Sequence, residues 1–293
     1  MNLRSVLLAI GAMTFVGASV AAASLLGDYP VLASQGVRYA VASLLLVAWM
    51  RASKRSLVRP SRADLTWVGG VALVGMVLFN IFLIASTNRI DPSLVGAIVG
   101  TAPVGLAVIG ALQLGRRPRA NLVAAAITVA IGTALVLQAR VEDDPLGIAL
   151  ALGAMLGEVG FSLLAVPVLA SIGPLGVSIH STWMAAVMLI IGALVFDGSL
   201  ALPMPTPTEF LALTYLTVFV TAIAFMMWYT AVDGMGAERA GLFAGIIPVS
   251  ALLTSSMIGT DIVTLPKLVG VLIVGLGVAF GLRNPGGPSS QSG

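Results

Sequence analysis

Apolar positions run through this chain in ten long blocks, and polar residues gather in the short gaps between them. A helix needs about 20 apolar residues to cross a bilayer core. Charge-poor stretches of that length lie near residues 5–25, 31–50, 65–86, 92–114, 120–139, 145–168, 175–196, 209–232, 238–259 and 266–283. The gaps carry turn chemistry, as in Asp28-Tyr29-Pro30, Asp91-Pro92, Asp144-Pro145, Gly173-Pro174 and Pro203 to Pro207. The blocks are continuously apolar and lack the period-two alternation of a barrel strand, so they predict helices. The expected fold is an all-α membrane protein with ten transmembrane helices.

Composition narrows the class further. The 293 residues are 58% hydrophobic and 9% charged, against about 45–50% and about 25% in soluble domains. So few charges cannot cover a water-soluble surface of this size, which excludes an ordinary cytosolic enzyme or a disordered chain. The 33 glycines suit close helix contact within a membrane. With no cysteine and one histidine, neither a thiol nucleophile, a disulfide nor a multi-histidine metal site is available. No cofactor, metal or catalytic group is expected, and the net charge of +3 is no signal for nucleic acid.

The charges are unevenly placed. With the N-terminus inside, the cytoplasmic segments hold Arg4, Arg51, Lys54, Arg55, Arg59, Arg62, Arg116, Arg117, Arg119, Arg239 and Arg283, eleven in all. The opposite loops hold three, Arg89, Arg140 and Lys267, and Arg38 lies within a span. Basic residues favour the cytoplasmic side, so both termini are expected there, with Glu142-Asp143-Asp144 facing outward. Arg4, an apolar run and the Ala-rich stretch Ser19 to Ser24 imitate a secretory signal, but an internal repeat requires this segment as a retained helix.

Gly96, Gly100 and Pro103 form a G-x-x-x-G-x-x-P element, and Gly241, Gly245 and Pro248 repeat it 145 positions later. The same displacement pairs Gly132 with Gly277. A displacement of 142 pairs Gly11-Ala12-Met13 with Gly153-Ala154-Met155, and Arg38 with His180. Several matches in order indicate duplication. Residues 1–140 and 141–283 are then two five-helix halves, followed by a Pro-, Gly- and Ser-rich tail, 284–293, expected to be disordered. Five is odd, so the second half is threaded in the opposite sense, as in inverted-repeat transporters. Glycines four apart let a neighbour approach, and a proline three residues on removes a backbone hydrogen bond. The element reads either as a hinge or as a packing motif with a static kink.

At these residues the chain resembles the drug/metabolite transporter (DMT) superfamily, specifically the EamA-type family of ten-helix proteins. The resemblance is clearest in Phe225-Met226-Met227-Trp228-Tyr229-Thr230-Ala231, in Gly236-Ala237-Glu238-Arg239-Ala240 and in Ile247-Pro248-Val249. It continues through Ala85 to Pro103 and the Gly-rich Gly270 to Gly281, and it covers nearly the whole chain. One departure is Ile10-Gly11, where many members carry Trp-Gly. The resemblance implies passage of small metabolites, with bacterial exporters of aromatic and neutral amino acids most similar overall.

Polar groups deep in a bilayer are costly and need a reason. Glu158 is the sole acid well inside a span, on a stripe with Ala151, Ala154, Ser162 and Ala165. It is a candidate to bind a substrate amino group or carry a proton, or else a protonated carboxyl bonded within the bundle. Arg38 is a candidate to attract a carboxylate, to snorkel outward or to fix the neighbouring helices. His180 and Trp183, three apart, share a helix face, where Trp183 can stack on a flat side chain or both can serve packing near the surface. Asn80 and Thr101 are candidate uncharged contacts or simply helix glue. Trp228 and Tyr229 are expected in an interfacial aromatic belt.

The expected function is secondary transport, with small-molecule substrate and lipid bilayer as partners and a monomer as the default state. A zwitterion carries no net charge, so its downhill export needs no ion, whereas one charge crossing 100 mV involves about 2.3 kcal/mol. The chain has no G-x-x-x-x-G-K-[ST] motif for ATP-driven pumping. Two alternatives remain at this point. One is an exporter or flippase of drugs, nucleotide sugars or lipid-linked sugars. The other is an integral-membrane enzyme, for which no second deep acid stands beside Glu158.

Overall fold

The computed structural model describes residues 2–26, 29–139, 144–257, 259 and 262–283. The expected tail 284–293, Asp28, Arg140 and the pair Glu142-Asp143 lie outside the described residues. Every regular element among those described is helical. Ten helices are long and apolar enough to cross a membrane: α1 Leu3–Ala23, α2 Val31–Ala52, α3 Arg62–Thr87, α4 Pro92–Gln113, α5 Ala120–Leu137, α6 Pro145–Leu163, α7 Val166–Asp197, α8 Pro207–Met235, α9 Ala237–Met257 and α10 Leu265–Arg283.

Local chemistry explains where they start. Asp91 and Asp144 cap α4 and α6 through the amides of Ser93 and Gly147, each with proline in the first turn. Ser61 with Asp64 and Thr206 with Glu209 close reciprocal capping boxes on α3 and α8.

One boundary differs from the sequence expectation. The sixth helix ends at Leu163 rather than near residue 168, and the seventh begins at Val166. Apolarity is unbroken there, so charge-poor windows cannot see the turn at residues 164–165. The missed signal is Pro167, which sits in the first turn of the new helix. The expected break at Gly173-Pro174 is present inside α7, where Gly173 takes φ 70 and ψ 168, a conformation glycine reaches without strain.

Close glycine contacts order the bundle. The α5 and α10 pair packs most extensively, followed by α2 with α7, while α1 lies against α8 and α9, and α3 against α6. A methyl at Gly132 would stand 2.8 Å from the Gly270 carbonyl oxygen, and one at Gly270 would stand 2.7 Å from the Gly132 carbonyl oxygen. Backbones this close gain dispersion contact, which holds helices together where the solvent is itself apolar.

The contacts also recur. Gly11 faces Met227 as Gly153 faces Phe82, and Ser5 faces Gly234 as Gly147 faces Arg89. Gly132 faces Gly270 and Val274, and Gly277 faces Ala125 and Val129. Each second contact is the first one displaced by 142 or 145 positions with the partners exchanged.

Interruptions recur as well. Wide π-helical turns occupy Leu73–Leu78 in α3 and Leu216–Ala224 in α8. The fourth helix breaks at Gly100 and Thr101, between Pro92–Val99 and Ala102–Gln113. The ninth tightens into a 3-10 turn at Gly241–Gly245. Both G-x-x-x-G-x-x-P elements therefore interrupt a helix, and they also pack. Added methyls at Gly245 and Gly241 would meet Val129 and Leu106 at 2.5 Å, and one at Gly96 would meet Leu137 at 3.0 Å. Pro248 is buried on α9, as Pro103 is on α4.

Candidate functional site

Four aromatic rings from four helices meet inside the bundle. Phe161 of α6 lies 4.8 Å from Phe225 and 5.0 Å from Tyr229 of α8, ring centre to ring centre. Tyr39 of α2 lies 6.5 Å from Phe225. Such tilted arrangements suit the ring quadrupoles. Asn80 of α3 joins them, donating to the Tyr39 hydroxyl at 3.3 Å and to the Met76 carbonyl at 2.6 Å within the π-helical turn. The Tyr229 hydroxyl donates to the Phe161 carbonyl at 3.4 Å, and Ser181 of α7 bonds it too.

Two charged groups border this cluster. Glu158, one helical turn before Phe161, lies deep among the helices and within electrostatic range of Tyr229. Its side chain is nonetheless only part-covered, so an internal opening reaches it. Among the described residues no hydrogen bond or ion pair is made to its carboxyl. The Arg38 guanidinium lies 4.7 Å from the centre of the Tyr39 ring, a cation–π distance. Its Nε is buried without a hydrogen-bond partner, as is Oε1 of Gln35 one turn earlier. Arg38 also lines a cavity of about 70 Å³ with Tyr29, Ser34 and Thr217.

The small-residue stripe behaves as its chemistry suggests. Ala151, Ala154, Ser162 and Ala165 are fully buried, while Leu152 and Leu156 are exposed. Trp228 and Tyr229 differ from expectation: they are 2% and 0% exposed instead of forming an interfacial belt. The eighth helix continues to Met235, which draws both rings inward, and Trp228 Nε1 donates to the Ser162 hydroxyl at 3.0 Å.

The remaining candidates stand apart from the cluster. Thr101 uses its hydroxyl on the Ile98 carbonyl at 2.7 Å, inside the break of α4. His180 is buried and Trp183 is exposed, with Trp183 Nε1 donating to His180 Nδ1 at 3.2 Å. With Nδ1 accepting, the His180 proton sits on Nε2, which has no partner. Sequence reasoning missed Tyr39, Phe161, Phe225, Ser181 and Gln35, for aromatic and single hydroxyl residues give little contrast inside apolar spans.

The two ends of the bundle differ. Between α3 and α6, Arg89 pairs with Asp144 at 3.0 Å. The Gly147 amide, and then Arg89, hold the Asp144 carboxyl below its ordinary value. On the same end the Tyr29 hydroxyl donates to the Pro203 carbonyl at 2.8 Å. At the other end a cavity of about 340 Å³ opens between the α4–α5 and α8–α9 connectors.

Comparison with known proteins fits this architecture. Residues 3–138 and 145–283 match the model of the EamA-like transporter family. The chain is 24% identical over 270 residues to the uncharacterized transporter YetK of Bacillus subtilis (strain 168), covering 90% of this chain and 82% of that one. It is 28% identical over 255 residues to the uncharacterized transporter YvbV of the same strain, covering 84% and 80%. An uncharacterized transporter of Archaeoglobus fulgidus is 21% identical over 262 residues, covering 86% and 88%. A solved crystal structure superposes with a TM-score of 0.83 over 96% of both chains at 20% identity, which speaks for the fold alone. The chain belongs to the EamA-like transporter family of the drug/metabolite transporter superfamily and is a multi-pass membrane transporter.

Proposed function

We propose that the protein is a secondary transporter that exports small zwitterionic metabolites, aromatic and neutral amino acids above all, across a bacterial cytoplasmic membrane. The observation that carries this is the pair of unpaired opposite charges, Glu158 and Arg38, bordering one aromatic cluster. A carboxylate and a guanidinium left without partners at membrane depth are costly. A ligand that brings an ammonium to one and a carboxylate to the other removes that cost. An aromatic or aliphatic side chain then packs among Tyr39, Phe161, Phe225 and Tyr229.

Movement follows from two five-helix halves, residues 1–140 and 141–283, threaded in opposite senses. The recurrence of contacts at displacements of 142 and 145 supports this, as do the paired π-helical turns and the paired breaks of α4 and α9. Two inverted halves exchange roles between an inward-open and an outward-open form. The breaks at Gly96, Gly100 and Pro103 and at Gly241, Gly245 and Pro248 are where α4 and α9 bend. The eleven-to-three split of basic residues supports cytoplasmic termini, which makes the Arg89–Asp144 end the outer one and the wide cavity the inner one.

The test is flux of radiolabelled phenylalanine, leucine and alanine in liposomes holding this protein alone. Saturable flux of at least one is expected, reduced about tenfold or more by Glu158→Gln, as removal of a charged partner implies. Absence of flux for all three would overturn the substrate class. An unchanged rate and pH dependence in Glu158→Gln would remove Glu158 from the site.

A further inference from the structure

We infer that the wide cavity at one end of the bundle is a phosphate-binding site, taking either an anionic lipid headgroup or a free phosphate compound. Arg116, Arg117 and Arg119 reach it from the connector between α4 and α5, and Arg239 reaches it from the start of α9. Gln113 and a single carboxyl, Glu238, complete the polar lining. Among the described residues none of the four guanidinium groups is in an ion pair. Their planar forks suit phosphate oxygens, which they bind with paired hydrogen bonds. The volume of about 340 Å³ falls at the lower end of small-ligand sites, about 300–1,000 Å³.

Topology alone does not produce this cluster. The preference for basic residues on one side of a membrane accounts equally for Arg55 and Arg59, yet neither lines the cavity. What calls for a ligand is the convergence of arginines from two connectors about 120 residues apart in sequence on one concave surface. The walls meet closely, since a methyl added at Gly110 would stand 3.2 Å from Glu238 Cγ and from Leu163 Cδ2. An anion bridging Arg116, Arg117 and Arg119 to Arg239 replaces four-way repulsion with attraction and ties α4 to α9 at this end. Occupancy therefore biases how far the end opens, whatever the cargo.

The experiment uses the purified chain in neutral detergent and needs no transported substrate. Dioctanoyl phosphatidylglycerol and sodium pyrophosphate are titrated as probes, with dioctanoyl phosphatidylcholine as the zwitterionic control, and thermal stability and native mass spectra are read. Saturable binding of either anionic probe is expected, and which of the two saturates distinguishes lipid from free anion. Arg117→Gln and Arg239→Gln each weaken it about tenfold, the scale of a lost charge-assisted bond. Arg55→Gln and Arg59→Gln, which remove equal charge outside the cavity, change it less than about twofold, since exposed distant charges are screened. Arg117→Lys keeps charge and topology and still weakens binding, which carries the test if a glutamine variant does not fold. No saturation by either anionic probe, equal response to phosphatidylcholine, or equal loss in the Arg55 and Arg59 variants would overturn the site.

Discussion

The seam between α5 and α10 offers a sharp test of the packing. In Gly270→Ala the new methyl would stand 2.7 Å from the Gly132 carbonyl oxygen and from the Val136 amide nitrogen, short of the 3.4 Å at which ordinary contact begins. Both obstacles are backbone, so neither can rotate away, and the helices must separate by roughly 0.7 Å along that line, in the range where packed atoms lose a quarter to a half of their attraction. Overpacking of this kind costs about 1–3 kcal/mol. The control is Gly275→Ala on the same helix, where nothing lies within 4 Å of the new methyl. Both substitutions gain the same helix propensity, roughly 1 kcal/mol, so their difference isolates the seam. Unfolding in mixed micelles, followed by circular dichroism, should place Gly270→Ala about 1–3 kcal/mol below Gly275→Ala. Equal stability of the two variants would refute the backbone contact and the pairing built on it.

Further outcomes follow from the site and the ends of the bundle. Arg38→Gln should raise the KM for amino acids about tenfold while leaving the corresponding decarboxylated amines unaffected, measured by competition in liposomes. Trp228→Phe removes the bond to the Ser162 hydroxyl and should cost about 1 kcal/mol, read from detergent unfolding. Asp144 is held below its ordinary value of 3.8 by the Gly147 amide and Arg89. Its contribution is therefore fully present above that value and is lost as pH falls through the depressed one. Hydrogen exchange at the Gly147 amide should stay slow at pH 5, quicken only under strong acid, and be fast throughout in Asp144→Asn.

The sequence revealed the span count because charge and turn residues punctuate nine of the gaps so plainly. It also revealed Glu158, a lone acid with small neighbours. It did not reveal the aromatic cluster, since Tyr39, Phe161 and Phe225 resemble any lipid-facing ring in an apolar block. Projection onto an ideal helix also fails beyond Leu73–Leu78 and Leu216–Ala224, where each wide turn shifts the face. The buried position of Trp228 and Tyr229 has the same origin, together with a helix longer than hydropathy windows allow. The α6 boundary was hidden because Pro167 marks a start without any accompanying polarity.

The wide turn in α8 has a consequence for how this scaffold can vary. An α-helix closes on 3.6 residues per turn, so deleting one residue within 216–224 relaxes the π turn and rotates all that follows by about 100°. Phe225, Trp228 and Tyr229 would then swing together to a new compass bearing while the segment still crossed the membrane. A single codon lost or gained there would re-face the chamber wall in one step, which makes this stretch a dial for diversifying cargo within the fold.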